Sequence, residues 1–190
     1  MMKNLTVIFS ILSLVLCGVL AGSVRAADDL NLALTKAAQK SDFKIVQHLL
    51  EQGASPNIIG ESGLSALMFA ALNGDMKMVT FLVDRGADVN GKDAEGNSAL
   101  KAACVLGRTD VVRYLLDKGS DVNEQNSIGI TPLMGACLYN KIDVVKLLLD
   151  KGARINVKAK DGGTALTMAS KSSKGNPELV AFLKAHGAKE

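Results

Sequence analysis

Few side chains in this chain are of the types that carry out chemistry. His48 and His186 are the two histidines among its 190 residues, and they stand in distant parts of the sequence. Nucleophilic catalysis needs a base within hydrogen-bond reach of the nucleophile and a third group that orients the base. No His-Glu-x-x-His, Cys-x-x-Cys or glycine-rich phosphate-binding motif occurs. We therefore predict no catalytic residue, no metal ligand and no cofactor, and we expect that the protein is not an enzyme.

A sequence pattern recurs along the chain with a period of 33 residues. Such a period indicates a stack of similar supersecondary units, each unable to bury its apolar face alone. Three series keep the spacing: Gly53, Gly86, Gly119 and Gly152; Asn57, Asn90, Asn123 and Asn156; and Gly63, Gly96, Gly129 and Gly162.

Residues 58–90 show what one unit contains. Ser65 is placed to cap a first helix. Apolar and small residues follow at helical spacing, first in Leu67–Ala71 and again in Met78–Val83. Gly86 stands where a helix ends in a left-handed residue. The pattern predicts two short helices followed by a projecting turn.

The unit resembles the ankyrin repeat, whose pattern reads G-x-T-P-L-x-x-A…V-V…L-L-x-x-G-A-D-V-N. Asp84–Asn90 and Ile130–Leu133 match it most closely. The resemblance implies an all-α repeat protein, an ankyrin solenoid of about five helix-turn-helix units with projecting β-turn or hairpin fingers. The units are residues 30–57, 58–90, 91–123, 124–156 and 157–190.

Two departures from the family pattern are informative. The family's T-P-L-H ends in a histidine that links neighbouring repeats, and no unit here keeps it: the residues are Met68, Lys101, Met134 and Thr167. Lys184 stands where the other units have leucine or valine, as expected of a capping repeat. His48, which aligns with Phe81 of the next unit, is expected to pack between helices.

Cys104 and Cys137 occupy the same place on the first helices of adjacent units. Stacked helices lie about 8–10 Å apart, whereas a disulfide needs Cα atoms within about 7 Å. We therefore expect two free, buried thiols.

The N-terminal segment has the features of a signal peptide. Lys3 precedes the apolar run Leu5–Leu20, and Val24 and Ala26 are small enough for signal peptidase. We predict a signal peptide over residues 1–26 and a repeat domain over 27–190. Two alternatives stay open, an uncleaved membrane anchor and lipidation of Cys17.

The family resemblance also implies where a partner binds. Ankyrin partners usually dock on the turn tips and on the exposed side of the first helices, which form the concave face. We favour Tyr139 as the central anchor. The predicted partner-binding residues are Leu64, Leu72, Asn97, Val105, Leu106, Ile128, Ile130, Leu138 and Tyr139.

The charge pattern and the resemblance together predict a function class. Residues 27–140 carry ten basic and fourteen acidic side chains, and residues 141–190 carry ten and five. No basic stripe of the kind that binds nucleic acid is present. We expect a monomeric, periplasmic protein that binds another protein as an adaptor, protector or immunity protein, and that leaves the membrane once its signal is cleaved. The alternatives are a secreted effector that binds a host protein and, more remotely, an enzyme.

Overall fold

The computed structural model describes residues 28–171 and 176–189, so the predicted signal peptide lies outside the described residues. The described residues form helices and turns, with no β-strand among them. The predicted all-α repeat architecture is confirmed. The helices are α1 (28–39), α2 (Phe43–Glu51), α3 (Ala66–Asn73), α4 (Met76–Asp84), α5 (Ala99–Leu106), α6 (Thr109–Asp117), α7 (Pro132–Leu138), α8 (Ile142–Asp150), α9 (Ala165–Lys171) and α10 (Pro177–Ala185).

Polar residues begin the first helices of the middle units, as the sequence predicts. The side-chain oxygens of Ser65, Ser98 and Thr131 each accept a hydrogen bond of 3.2 Å from a backbone N–H three residues on. These bonds satisfy N–H groups that have no partner within the helix. The second helices end in glycines with φ between +85° and +94°: Gly53, Gly86, Gly119, Gly152 and Gly187.

Small residues let the first helices pack closely against one another. Ala70 and Ala71 of α3, Ala103 and Cys104 of α5, and Cys137 of α7 are all buried. The helices α3, α5, α7 and α9 pack on each other more extensively than the second helices α4, α6 and α8 do. The first helices therefore form the inner, concave side of the stack.

A ladder of asparagines joins each unit to the next at the end of the second helices. In Asn90, the side-chain Nδ2 donates to Gly119 O (3.1 Å) and Oδ1 accepts from Asp121 N–H (3.0 Å). The equivalent residues Asn57, Asn123 and Asn156 make the same two bonds in their own units, with distances between 2.7 and 3.3 Å. The ladder supplies hydrogen bonds between units, although the family's histidine is missing.

The projecting fingers are tight turns that also bond to one another. Within the third finger, Asp93 N–H donates to Asn97 O (2.9 Å). Between fingers, Ser127 N–H donates to Glu95 O (2.9 Å). Gly129, at φ +82°, lies so close to the next finger that an added Cβ would come 3.0 Å from Lys160 N. Glycine is therefore required at this contact for its backbone angle and for its small size.

The histidines and cysteines give one correction and one confirmation. The expectation that His48 packs between helices is wrong, because its side chain is exposed on the last turn of α2. His186 is also exposed, and its Nδ1 lies 2.8 Å from Phe182 O. Cys104 and Cys137 are both free and buried, as expected.

The ladder yields a test of stability. Asn90→Ala should lower the free energy of unfolding by about 2 kcal/mol, because two hydrogen bonds between units are lost. Asn90→Asp keeps the acceptor for Asp121 N–H but places a carboxylate oxygen against Gly119 O, where two acceptors repel, so it should cost at least as much. Urea denaturation measures both changes. A loss below about 0.5 kcal/mol for Asn90→Ala would contradict a stabilising role for the ladder.

Candidate partner-binding groove

A groove of about 350 Å³ opens on the concave side between α3 and α5. One wall is formed by Met68 and Leu72, which lie four residues apart on one face of α3, and by Leu64, which precedes the cap residue Ser65. Lys101, Ala102, Val105 and Leu106 of α5 form the opposite wall. The third finger closes one end with Asp93, Asn97 and Ser98. The groove is mainly apolar, with its polar groups gathered at the finger end.

The groove is open because position 102 carries a small side chain. The equivalent residue of the second unit is Phe69, which is buried, and the cavity that it lines toward the first unit measures only about 90 Å³. In the fourth unit the equivalent residue is Gly135, and a Cβ added to it would lie 3.2 Å from the Val105 side chain. In the fifth unit Met168 is buried. Ala102 thus leaves a space that larger or closer groups fill in the neighbouring units.

Five of the nine predicted partner-binding residues meet in this groove. They are Leu64, Leu72, Asn97, Val105 and Leu106. Leu106 is 42% exposed, so its side chain is accessible at the rim of the groove. A concave apolar pocket with a few convergent polar groups is the usual form of a binding site.

The other four predicted residues lie outside the groove. Ile128 is exposed on the fourth finger, and Leu138 is the last residue of α7. Tyr139, the favoured anchor, follows it and is 55% exposed. Ile130 is half-buried, and its carbonyl oxygen accepts a bond of 2.6 Å from Lys101 Nζ. A role of these residues in binding stays a prediction.

Two buried charged residues, Lys101 and Glu124, support the finger end of the groove. Lys101 is 5% exposed and Glu124 is 4% exposed. Ser98 Oγ donates to Glu124 Oε1 while also capping α5. Lys92 Nζ lies 3.9 Å from Glu124 Oε2 at the surface. The cluster ties α5 to the fourth unit.

Burial shifts the pKa of Lys101 and the pKa of Glu124. It lowers the pKa of Lys101 from 10.5 to about 8, against the opposing attraction of the Glu124 carboxylate. It raises the pKa of Glu124, although the Ser98 hydrogen bond opposes the rise. Burial also raises the pKa of the Cys137 thiol to about 12 and that of the Cys104 thiol further still. Neither thiol is therefore a reactive thiolate near neutral pH.

The comparisons with known proteins agree with this architecture. Residues 34–126 and 119–190 match the family model described as ankyrin repeats in three copies. The chain belongs to the ankyrin-repeat family. Ankyrin repeats generally mediate protein–protein interaction, and the family is typically non-enzymatic. A search of curated proteins finds no match to the chain.

Lys101 stands at the position where the ankyrin pattern has its histidine. Its ammonium group makes a hydrogen bond from the third unit to the fourth, so a lysine here joins repeats as the family's histidine does. The lysine is visible in the sequence, whereas the burial of Glu124 at the same boundary was not predicted. The sequence does contain a signal for this burial, because the equivalent residues in the other units, Ile58, Gly91 and Val157, are uncharged. Two residues of opposite charge that depart from the repeat pattern at one boundary indicate buried charges there.

Other types of site find little support in the described part of this ankyrin chain. Residues 28–171 and 176–189 contain no group of three His, Cys, Asp or Glu side chains able to hold a metal ion. None of the helices described in those ranges is long and apolar enough to span a membrane. His48 and His186 belong to the first and last units and share no site.

The buried lysine predicts a stability change with pH. Between pH 8 and 10.5 the unfolded chain keeps Lys101 protonated while the folded ankyrin domain releases the proton. The folded state is therefore stabilised as pH rises through this window, by roughly 1–2 kcal/mol after allowance for solvent screening. Lys101→Met, which introduces the residue found at positions 68 and 134, should remove this rise.

Denaturation of both proteins at several pH values measures the effect. The buried thiols lower the stability as pH rises, and they do so in the wild type and in Lys101→Met alike. The difference between the two pH profiles therefore reports on Lys101. Glu124→Gln keeps an acceptor for Ser98 and removes the attraction to Lys101, so the rise should begin at lower pH. Equal pH profiles for the wild type and Lys101→Met would contradict the prediction.

Proposed function

We propose that this chain is a non-enzymatic ankyrin module of the bacterial cell envelope that binds another protein through the groove between α3 and α5. The observation that carries the proposal is the apolar recess beside Ala102, where the neighbouring unit has a buried phenylalanine. An adaptor, a protector or an immunity protein would use such a surface in the same way.

The make-up of the groove supports a protein partner. Its walls are aliphatic, and its polar groups lie at one end. Protein interfaces are held by apolar anchors that enter well-packed pockets and are surrounded by polar contacts. The helices that form the walls are capped and packed on both sides, so little ordering is needed when a partner binds.

Two substitutions test the groove directly. Leu106→Lys places a charge on its rim, and Ala102→Phe fills it with the side chain that the second unit has at this position. Both should reduce capture of a partner from an envelope extract at least tenfold, because an apolar anchor worth about 1.4 kcal/mol or more is lost. Both should leave the melting temperature within about 2 °C of the wild type.

Ile45→Lys provides the matched control. Ile45 is 48% exposed on α2 and lies outside the groove, so this variant carries the same new charge without touching the site. It should capture the partner like the wild type. Normal capture by Ala102→Phe would contradict binding in the groove, and equal losses in all three variants would point to a general surface effect.

The proposed location rests on the N-terminal segment. A signal peptide over residues 1–26 would place the repeat domain in the periplasm, whereas a secreted effector that binds a host protein is the alternative. In both cases the cleaved chain begins at Ala27. An uncleaved anchor or a lipid on Cys17 would instead keep the chain at the membrane.

Cell fractionation separates these possibilities. Immunoblots of periplasm, membranes and culture medium should place most of the protein in the periplasm, and mass spectrometry should find a chain that starts at Ala27. Accumulation in the medium would favour the effector. A membrane-bound chain that retains residues 1–26 or carries a lipid would contradict the cleavage prediction.

A further inference from the structure

We infer that the groove takes a segment of another protein in which a large apolar side chain stands next to a lysine or arginine. The inference rests on the proposed function and adds the chemistry of the partner. Two observations carry it: the aliphatic body of the groove, and the carboxylates of Asp93, which lines the finger end, and of Glu95, which lies beside the lining residue Asn97.

The body of the groove selects an apolar side chain. Leu64, Leu72 and Leu106 face a space of about 350 Å³, which is large enough for a bulky side chain. The polar groups that line the groove stand at the finger end. An apolar group that enters the body therefore leaves few polar atoms without hydrogen bonds.

The finger end carries two negative charges without a close cation. Asp93 Oδ1 accepts from Glu95 N–H (2.9 Å) and Asn97 N–H (2.8 Å). The Nδ2 atom of Asn97 lies between the two acids, 3.1 Å from Asp93 Oδ2 and 3.3 Å from Glu95 Oε2. Within the described ranges, no lysine or arginine nitrogen lies within 4.0 Å of either carboxylate.

The turn of the finger does not require these charges. In the fourth finger, Asn126 takes the place of Asp93, and its Oδ1 accepts the equivalent bonds from Ile128 N–H (3.2 Å) and Ile130 N–H (2.9 Å). A neutral amide thus holds the same turn, and the residue equivalent to Glu95 is an isoleucine. The pair of acids belongs to the third finger, whose Asp93 and Asn97 line the groove.

The nearby cations are directed toward the fourth unit. Lys101 Nζ donates to Ile130 O, and Lys92 Nζ approaches Glu124. Lys101 also lines the groove, so a cation deep inside it would be repelled. The arrangement therefore favours an apolar side chain in the body and a basic side chain at the rim beside Asp93 and Glu95. A charge pair at a rim mainly sets specificity.

Selection from a phage-displayed library of short random peptides tests the inference on the full chain. The wild type should enrich peptides with a lysine or arginine beside a large apolar residue. The variant Asp93→Asn/Glu95→Gln keeps the turn bonds and removes both charges. It should still enrich the apolar residue and lose the basic preference.

An enriched peptide then allows a double-mutant cycle. Changing its basic residue to glutamine should weaken binding about three- to fivefold to the wild type and leave binding to Asp93→Asn/Glu95→Gln unchanged. Equal weakening on both proteins would overturn the assignment of the acidic rim. Enrichment of acidic or uncharged peptides, or of none, would also overturn the inference.

The variant Ala102→Phe separates failure of this inference from failure of the proposed function. If Ala102→Phe no longer binds the enriched peptides, the groove is supported as the binding site, whatever charge those peptides prefer. Full binding of the enriched peptides to Ala102→Phe would place them elsewhere on the chain and would contradict both proposals.

Discussion

The stacking of each unit on the next is the constraint on which the rest of this structure depends. A single pair of short helices cannot bury its apolar stripe alone. The inner helices meet through alanines and cysteines, and the asparagine ladder supplies the polar contacts between units. Each carboxamide uses both a donor and an acceptor on the next unit, so it fixes the register as well as adding stability. The spacing of the fingers follows from that register.

The same register explains why this groove lies between α3 and α5. The backbones of the middle units follow one pattern, so the space between two first helices depends on the side chains placed there. Ala102 leaves the space open, whereas Phe69 and Met168 fill theirs. The next boundary holds the buried residues Lys101 and Glu124. The hydrogen bonds of Lys101 to Ile130 O and of Ser98 to Glu124 fix the finger end of the site. Binding chemistry and repeat packing are therefore joined in the third unit.

The regular features could be predicted from the sequence because they repeat. The caps at Ser65, Ser98 and Thr131 and the free state of the thiols followed from spacing and helix geometry. The groove could be predicted only in part. The alignment of the repeats identified the exposed positions, but the open space of the groove depends on the volumes of side chains from two neighbouring units. Glu124 and the exposure of His48 were missed because alignment gives a position, whereas burial depends on neighbours from other units.

The recess beside Ala102 also has an evolutionary consequence. In a solenoid each unit touches only its neighbours, so a change at this position alters one gap and leaves the remaining stack intact. The location of a binding site along the molecule is thus encoded by one small residue in one repeat. Exchanging alanine and phenylalanine between positions 102 and 69 would move the recess by a full repeat without altering the fold. Because Phe69 belongs to the buried core, such a move costs stability where the phenylalanine is removed, so partner choice and stability are linked at this position.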